Sequence, residues 1–310
     1  MPPREPRLPT PGQAVIAWLL AIVLVLGMGF GVGAVAALLA IGEGLKPDAA
    51  LALISDPHSS PLVSSPTWIG VTIALNELTV FGLLLMWRRR LVLPLRSIVP
   101  FGAPTLRATL GALLLPFGLA PLAELVGELV RRSLPHGVSS EHIVLALARG
   151  TSVELFLLVL GAAAVLPAVV EELMFRGFVT TALQGYSPFA KLVLPSLMFG
   201  VLHLEPTQAA GVAVLGIAFG LVRLYTGSIW PCIMSHFAYN AGTLLEARWF
   251  ERSQTHVTSW TRVLLGLGLA LAAYALLVAD LGKRRQSPFS ILPPPPSSRG
   301  FPPPSSRGPR

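Results

Sequence analysis

Long apolar runs closed by arginine and lysine clusters constrain this chain more than any other feature. One run ends at Arg88-Arg89-Arg90 and another at Lys283-Arg284-Arg285. A helix of about 20 apolar residues matches the hydrocarbon thickness of a bilayer. Eight such segments can be drawn: Gln13–Ile41, Thr67–Trp87, Leu106–Val130, Thr151–Val170, Pro188–Leu204, Gln208–Tyr225, Ser228–Leu245 and Val263–Leu281. Charged residues make up only 12% of the 310 positions, about half the share usual in soluble domains. The mean hydropathy is +0.68. So few charges could not solvate the surface of a soluble globule. A single cysteine, Cys232, excludes a disulfide scaffold, and the apolarity of residues 12–282 excludes a disordered chain there. The expected fold class is all-α, a polytopic membrane helical bundle of about eight transmembrane helices.

The net charge of +8 does not point to nucleic acid, because the basic residues sit at the ends of apolar runs, where they set topology. Counted over the short loops, most Lys and Arg fall on the side of the N-terminus, so both termini are expected in the cytoplasm. Residues 1–12 then form a cytoplasmic N-terminal segment and 13–285 the transmembrane helical domain. Residues 286–310 form a proline-rich tail in which Pro-Pro-Pro-Ser-Ser-Arg-Gly occurs at 294–300 and again at 302–308. That composition predicts disorder. The stretch Gly27–Gly33 predicts a helix-packing surface, and Ser139–Arg149 a short interfacial helix. His58, His136, His142 and His256 read as surface histidines.

Ionisable groups inside an apolar segment are costly and are functional candidates by default. Three patterns cluster between 171 and 240. In Glu171-Glu172-Leu173-Met174-Phe175-Arg176, Glu172 and Arg176 are four apart on one helical face and can pair. Glu171 points about 100° away and has no cation one turn on, which leaves it free to face a cavity and act as a general base. His203 ends an apolar helix, with Phe199 one turn earlier on the same face. His236 and Asn240 share the face of another segment. Two chemistries fit this set. Glu171 and His203 could activate water while His236 and Asn240 stabilise an oxyanion. Alternatively Glu171, His203 and His236 could ligate Zn2+ with one position open for water. The cofactor is then zinc or none, and the reaction in either case is amide hydrolysis. Cys232 lies one turn before His236 and is a lesser candidate nucleophile.

The combination EExxxR, FxxxH and HxxxN resembles the CPBP intramembrane proteases, the CAAX proteases and bacteriocin-processing enzymes also called the Abi family. The resemblance covers roughly Glu154 to Leu245, with a protease-like core at about 151–245. It implies a helical intramembrane fold with a catalytic cavity open to the cytoplasmic side. Glu171 then resembles the catalytic glutamate, His203 its partner, and His236 with Asn240 the remaining active-site pair. Glu172 and Arg176 complete the first motif. The implied partners are a peptide or lipid-modified protein substrate and the surrounding membrane lipids. The implied location is a multi-pass position in a plasma membrane, bacterial by the absence of eukaryotic retention signals. Two other readings are a non-catalytic membrane scaffold or immunity protein of the same fold, and a transporter using Glu77, Glu124 and Glu128 as a proton relay. No internal repeat supports the transporter.

Overall fold

The computed structural model describes residues 7–47, 64–93, 99–100, 102–134, 141–249 and 259–279, apart from the side chains of 141 and 142. The proline-rich tail, residues 1–6, His58, His136 and His256 lie outside these. Nine helices make up the described chain. They are α1 (Pro11–Gly42), α2 (Pro66–Leu91), α3 (Leu106–Ser133), α4 (Glu141–Ala148), α5 (Val153–Ala182), α6 (Pro188–Leu202), α7 (Pro206–Thr226), α8 (Trp230–Trp249) and α9 (Trp260–Val278). There is no strand among the described residues. The protein is an all-helical, multi-pass membrane bundle.

Local chemistry sets most helix starts. Thr10 and Gln13 form a reciprocal capping box at α1, with Thr10 Oγ1 accepting from the Gln13 amide and Gln13 Oε1 accepting from the Thr10 amide. Ser65, Thr105, Ser152, Ser187 and Ser259 cap α2, α3, α5, α6 and α9 in the same sense. Proline at the first turn of α1, α2, α6 and α7 costs no hydrogen bond there, since that amide has no helical partner.

Six helices are long and apolar enough to cross a membrane: α1, α2, α3, α5, α7 and α9. The other two expected spans differ for distinct reasons. α6 has 15 residues, about 22 Å of helix against a core of about 30 Å. α8 has 20 residues but carries Ser235, His236, Asn240, Thr243, Glu246 and Arg248. These two helices bring in the second and third sequence motifs.

α5 departs most from expectation. The charges at Glu171-Glu172 do not end it. It runs 30 residues to Ala182, so Glu171 lies about 17 Å before its C-terminal end. Two π-helical stretches, Gly161–Val165 and Leu173–Val179, flank the glutamates. Each widened turn leaves carbonyls without a regular helical donor, and side chains take them up. Asn240 Nδ2 donates to Ala163 O at 3.3 Å, Thr180 Oγ1 to Phe175 O at 2.8 Å, and Arg223 Nε to Arg176 O at 3.2 Å.

Helix packing rests on glycines other than those expected. Gly27, Gly29 and Gly31 would have nothing within 4 Å of an added Cβ, and only Gly33 of that stretch is packed inside α1. A Cβ on α1 at those three positions would face outward, as its exposed Leu24, Phe30 and Leu38 do. The close contacts lie elsewhere. A Cβ at Gly118 of α3 would sit 2.5 Å from the Ala270 amide of α9. A Cβ at Gly216 of α7 would sit 3.0 Å from Ser196 of α6. In lipid, where apolar burial drives little association, such backbone approach is the main source of helix adhesion.

Candidate active site

The centre of the site is a buried charge network on α5. Arg176 Nη1 donates to Glu172 Oε1 at 2.9 Å, the i,i+4 pair expected from the spacing. Arg176 Nη2 donates to the Gly216 carbonyl of α7 at 2.7 Å. Its guanidinium lies 4.8 Å from the centroid of Phe199 and 5.3 Å from that of Phe219. Glu172 and Arg176 are essentially unexposed. A buried arginine is tolerated because its charge is met by a carboxylate, a carbonyl and two ring faces.

α8 completes the network. His236 Nδ1 lies 3.0 Å from Glu172 Oε1. A carboxylate can only accept, so Nδ1–H is the donor. His236 Nε2 is thereby turned toward Glu171 Oε2, at 3.6 Å. The imidazole is held in place by stacking on Phe219, with centroids 4.7 Å apart and planes 15° apart, and by an edge contact with Phe199 at 5.7 Å. Ser235 donates to Ala112 O at 2.6 Å and ties this turn of α8 to α3.

His203 enters from the end of α6. Its Nδ1 lies 3.1 Å from the Phe199 carbonyl oxygen, which accepts, so Nε2 is left for the site. Its ring meets Phe199 edge-on at 5.2 Å. Phe199 therefore touches both imidazoles. The turn that presents His203 is tightly fixed. Leu204 adopts the left-handed conformation at φ 63°, unusual for a branched residue. Glu205 accepts from the Thr207 and Gln208 amides at 2.8 and 2.6 Å, capping α7.

The predicted residues thus fall into two groups. Glu171, Glu172, Arg176 and His236 form one connected cluster, to which His203 is joined through Phe199. Asn240 sits one turn beyond His236 and reaches the Ala163 carbonyl of the same α5 that carries both glutamates. The imidazole facing Glu171 is His236 rather than His203. Cys232 is fully buried in an apolar cluster with Ala112, Ala218 and Ala273. As placed, Glu171, His203 and His236 do not form a zinc ligand set. His236 directs one nitrogen to each glutamate, and among the described residues no three His, Cys, Asp or Glu side chains converge on a metal position. Two participants had no signature in the sequence: Phe219, which stacks on His236, and the Gly216 carbonyl, which receives Arg176.

The segment that supplies all these motif residues is also the one that resembles a known family. Residues 153–242 match the Rce1-like family, the type II CAAX prenyl endopeptidases. No curated protein and no solved structure gives a significant match to the chain. The Rce1-like match covers less than a third of the chain, but it contains α5 from its first residue, α6, α7 and the part of α8 that ends just past Asn240. The description of that family names a prenyl endopeptidase activity. α1, α2, α3, α4 and α9 lie outside the match and pack against it.

Proposed function

We propose that this protein is an intramembrane endopeptidase that cleaves near the end of a peptide or lipid-modified protein, with Glu171 as general base for the attacking water. The observation that carries this reading is the bridge made by His236, which bonds Glu172 through Nδ1 and presents Nε2 to Glu171. Glu172 and Arg176 hold His236 in one orientation, in the manner of a carboxylate that orients a catalytic imidazole. Glu171 is left without a cation of its own and 10% exposed at its side chain, so it is available to a water molecule. It removes a proton from that water as oxygen attacks the scissile carbonyl. The same proton then passes to the departing amine as the C–N bond breaks. The second amide hydrogen of Asn240 is the group proposed to face the developing oxyanion, and His203 Nε2, the accepting nitrogen of that ring, is proposed to help hold the attacking water.

The substrate proposed is of the CAAX type, where the lipid chain stays among the helices or in the bilayer while the peptide enters the bundle. The location proposed is a bacterial plasma membrane with both termini in the cytoplasm. The test compares new protein C-termini in cells carrying the wild type and Glu171→Gln, by C-terminal proteomics at matched protein levels. Products present only with the wild type support the protease. Identical C-termini with an unchanged cellular phenotype assign the fold to a scaffold.

A further inference from the structure

One buried polar feature beside Glu171 has no part in that scheme. Glu77 lies on the packed face of α2, one turn from Ile73 and from Val80, and is 8% exposed. Its Oε2 is buried and has no hydrogen-bond partner. At the preceding position, the Oδ1 of Asn76 is buried and unpartnered as well. A buried acceptor without a donor is destabilising, and in a membrane segment water is not freely at hand to supply one. Two adjacent orphan acceptors call for an occupant that carries donors.

The position of the pair says where that occupant lies. α2 packs along α5 over the stretch 161–172, which includes the Ala163 carbonyl held by Asn240 and both glutamates. Glu77 is within electrostatic reach of Glu171, yet no hydrogen bond joins the two. The two carboxyl groups belong to helices that pack on one another, and both are buried.

We infer that the substrate backbone enters between α2 and α5 when it binds, with Glu77 and Asn76 of α2 accepting hydrogen bonds from peptide N–H groups beside the scissile bond. The inference rests on the endopeptidase reading and extends it to a helix outside the family match. An extended peptide suits the site chemically. Its N–H groups lose water on entering the bundle and must find acceptors, and α2 offers two on adjacent residues. Glu77 is a substrate-binding residue in this arrangement, and Asn76 is its neighbour along the strand path.

The test uses the full chain in lipid nanodiscs with Glu171→Gln in every sample, so that bound peptide stays intact. The probe is a fluorescent peptide ending in farnesyl-cysteine and three further residues, and its binding is read by anisotropy. Adding Glu77→Leu is expected to weaken binding about 10-fold or more, whereas Glu77→Gln, which keeps an acceptor oxygen, weakens it less. A second measurement does not depend on how well Glu77 variants fold. The only native cysteine, Cys232, is buried, so Asn76→Cys introduces one thiol for a maleimide to report on. The peptide is expected to slow its labelling. If the parent Glu171→Gln protein binds no peptide, the endopeptidase reading falls and this inference with it. If the parent binds but Glu77→Leu binds equally and labelling at 76 is unchanged, water or packing alone serves Glu77 and Asn76, and only this inference is overturned.

Discussion

His236 Nδ1 and Glu172 Oε1 lie 3.0 Å apart across two helices whose residues are 64 positions distant in the chain. The same Glu172 oxygen accepts from Arg176. One carboxylate therefore neutralises a buried guanidinium and also sets the orientation of an imidazole. The arrangement links stability and chemistry through a single residue, and variants at its ends separate the two.

Glu171→Gln is expected to lower kcat for prenyl-peptide cleavage by about 10²–10⁴-fold, the usual share of a general base. The amide keeps the size of the side chain, so thermal unfolding in detergent is expected to stay close to that of the wild type. Cleavage within a factor of two of wild type would remove Glu171 from the mechanism.

Arg176→Met leaves Glu172 as a buried charge without its cation and is expected to destabilise by about 3–5 kcal/mol. Combining it with Glu172→Gln removes both charges and is expected to recover part of that loss, giving a non-additive cycle in denaturant unfolding. Additive effects would mean that the two side chains do not interact.

Asn240→Ala removes a donor from the Ala163 carbonyl and from the proposed oxyanion position. The expected outcome is a fall in kcat of about 10²–10³-fold with a stability loss of only about 1 kcal/mol. Steady-state kinetics and unfolding on the same preparation check both. A large stability loss with kcat preserved in the surviving fraction would assign Asn240 to the helix contact alone.

Gly118→Val and Gly216→Val place side-chain atoms where a Cβ already approaches backbone or Cβ atoms of the facing helix at 2.5–3.0 Å, so destabilisation of about 1–3 kcal/mol or more is expected. Gly29→Ala meets nothing within 4 Å and is expected to be neutral or slightly stabilising, since alanine favours helix over glycine. Unfolding midpoints of the three variants in one detergent test the contrast.

The amino-acid sequence by itself determined whatever is local. Thr10 with Gln13 and the serine-proline pairs at 65–66 and 187–188 start helices because their hydrogen bonds span three residues. The Glu172–Arg176 pair was legible because four residues bring side chains over one another on any helix. The motif residues could be picked out as polar groups in apolar runs, where each is expensive.

Tertiary structure decided how these helices are turned and how deep they sit. Periodicity tells which residues share a face but not which neighbour that face meets. For that reason the contact of His236 with both glutamates, the stacking of Phe219 and the Gly216 carbonyl beneath Arg176 could not be read beforehand. The same limit misplaced the end of α5, because a charge ends a span only if nothing inside the bundle neutralises it, and His236 comes to Glu172 only after folding. It also misassigned Gly27, Gly29 and Gly31, since a glycine helps packing only where a second backbone approaches it.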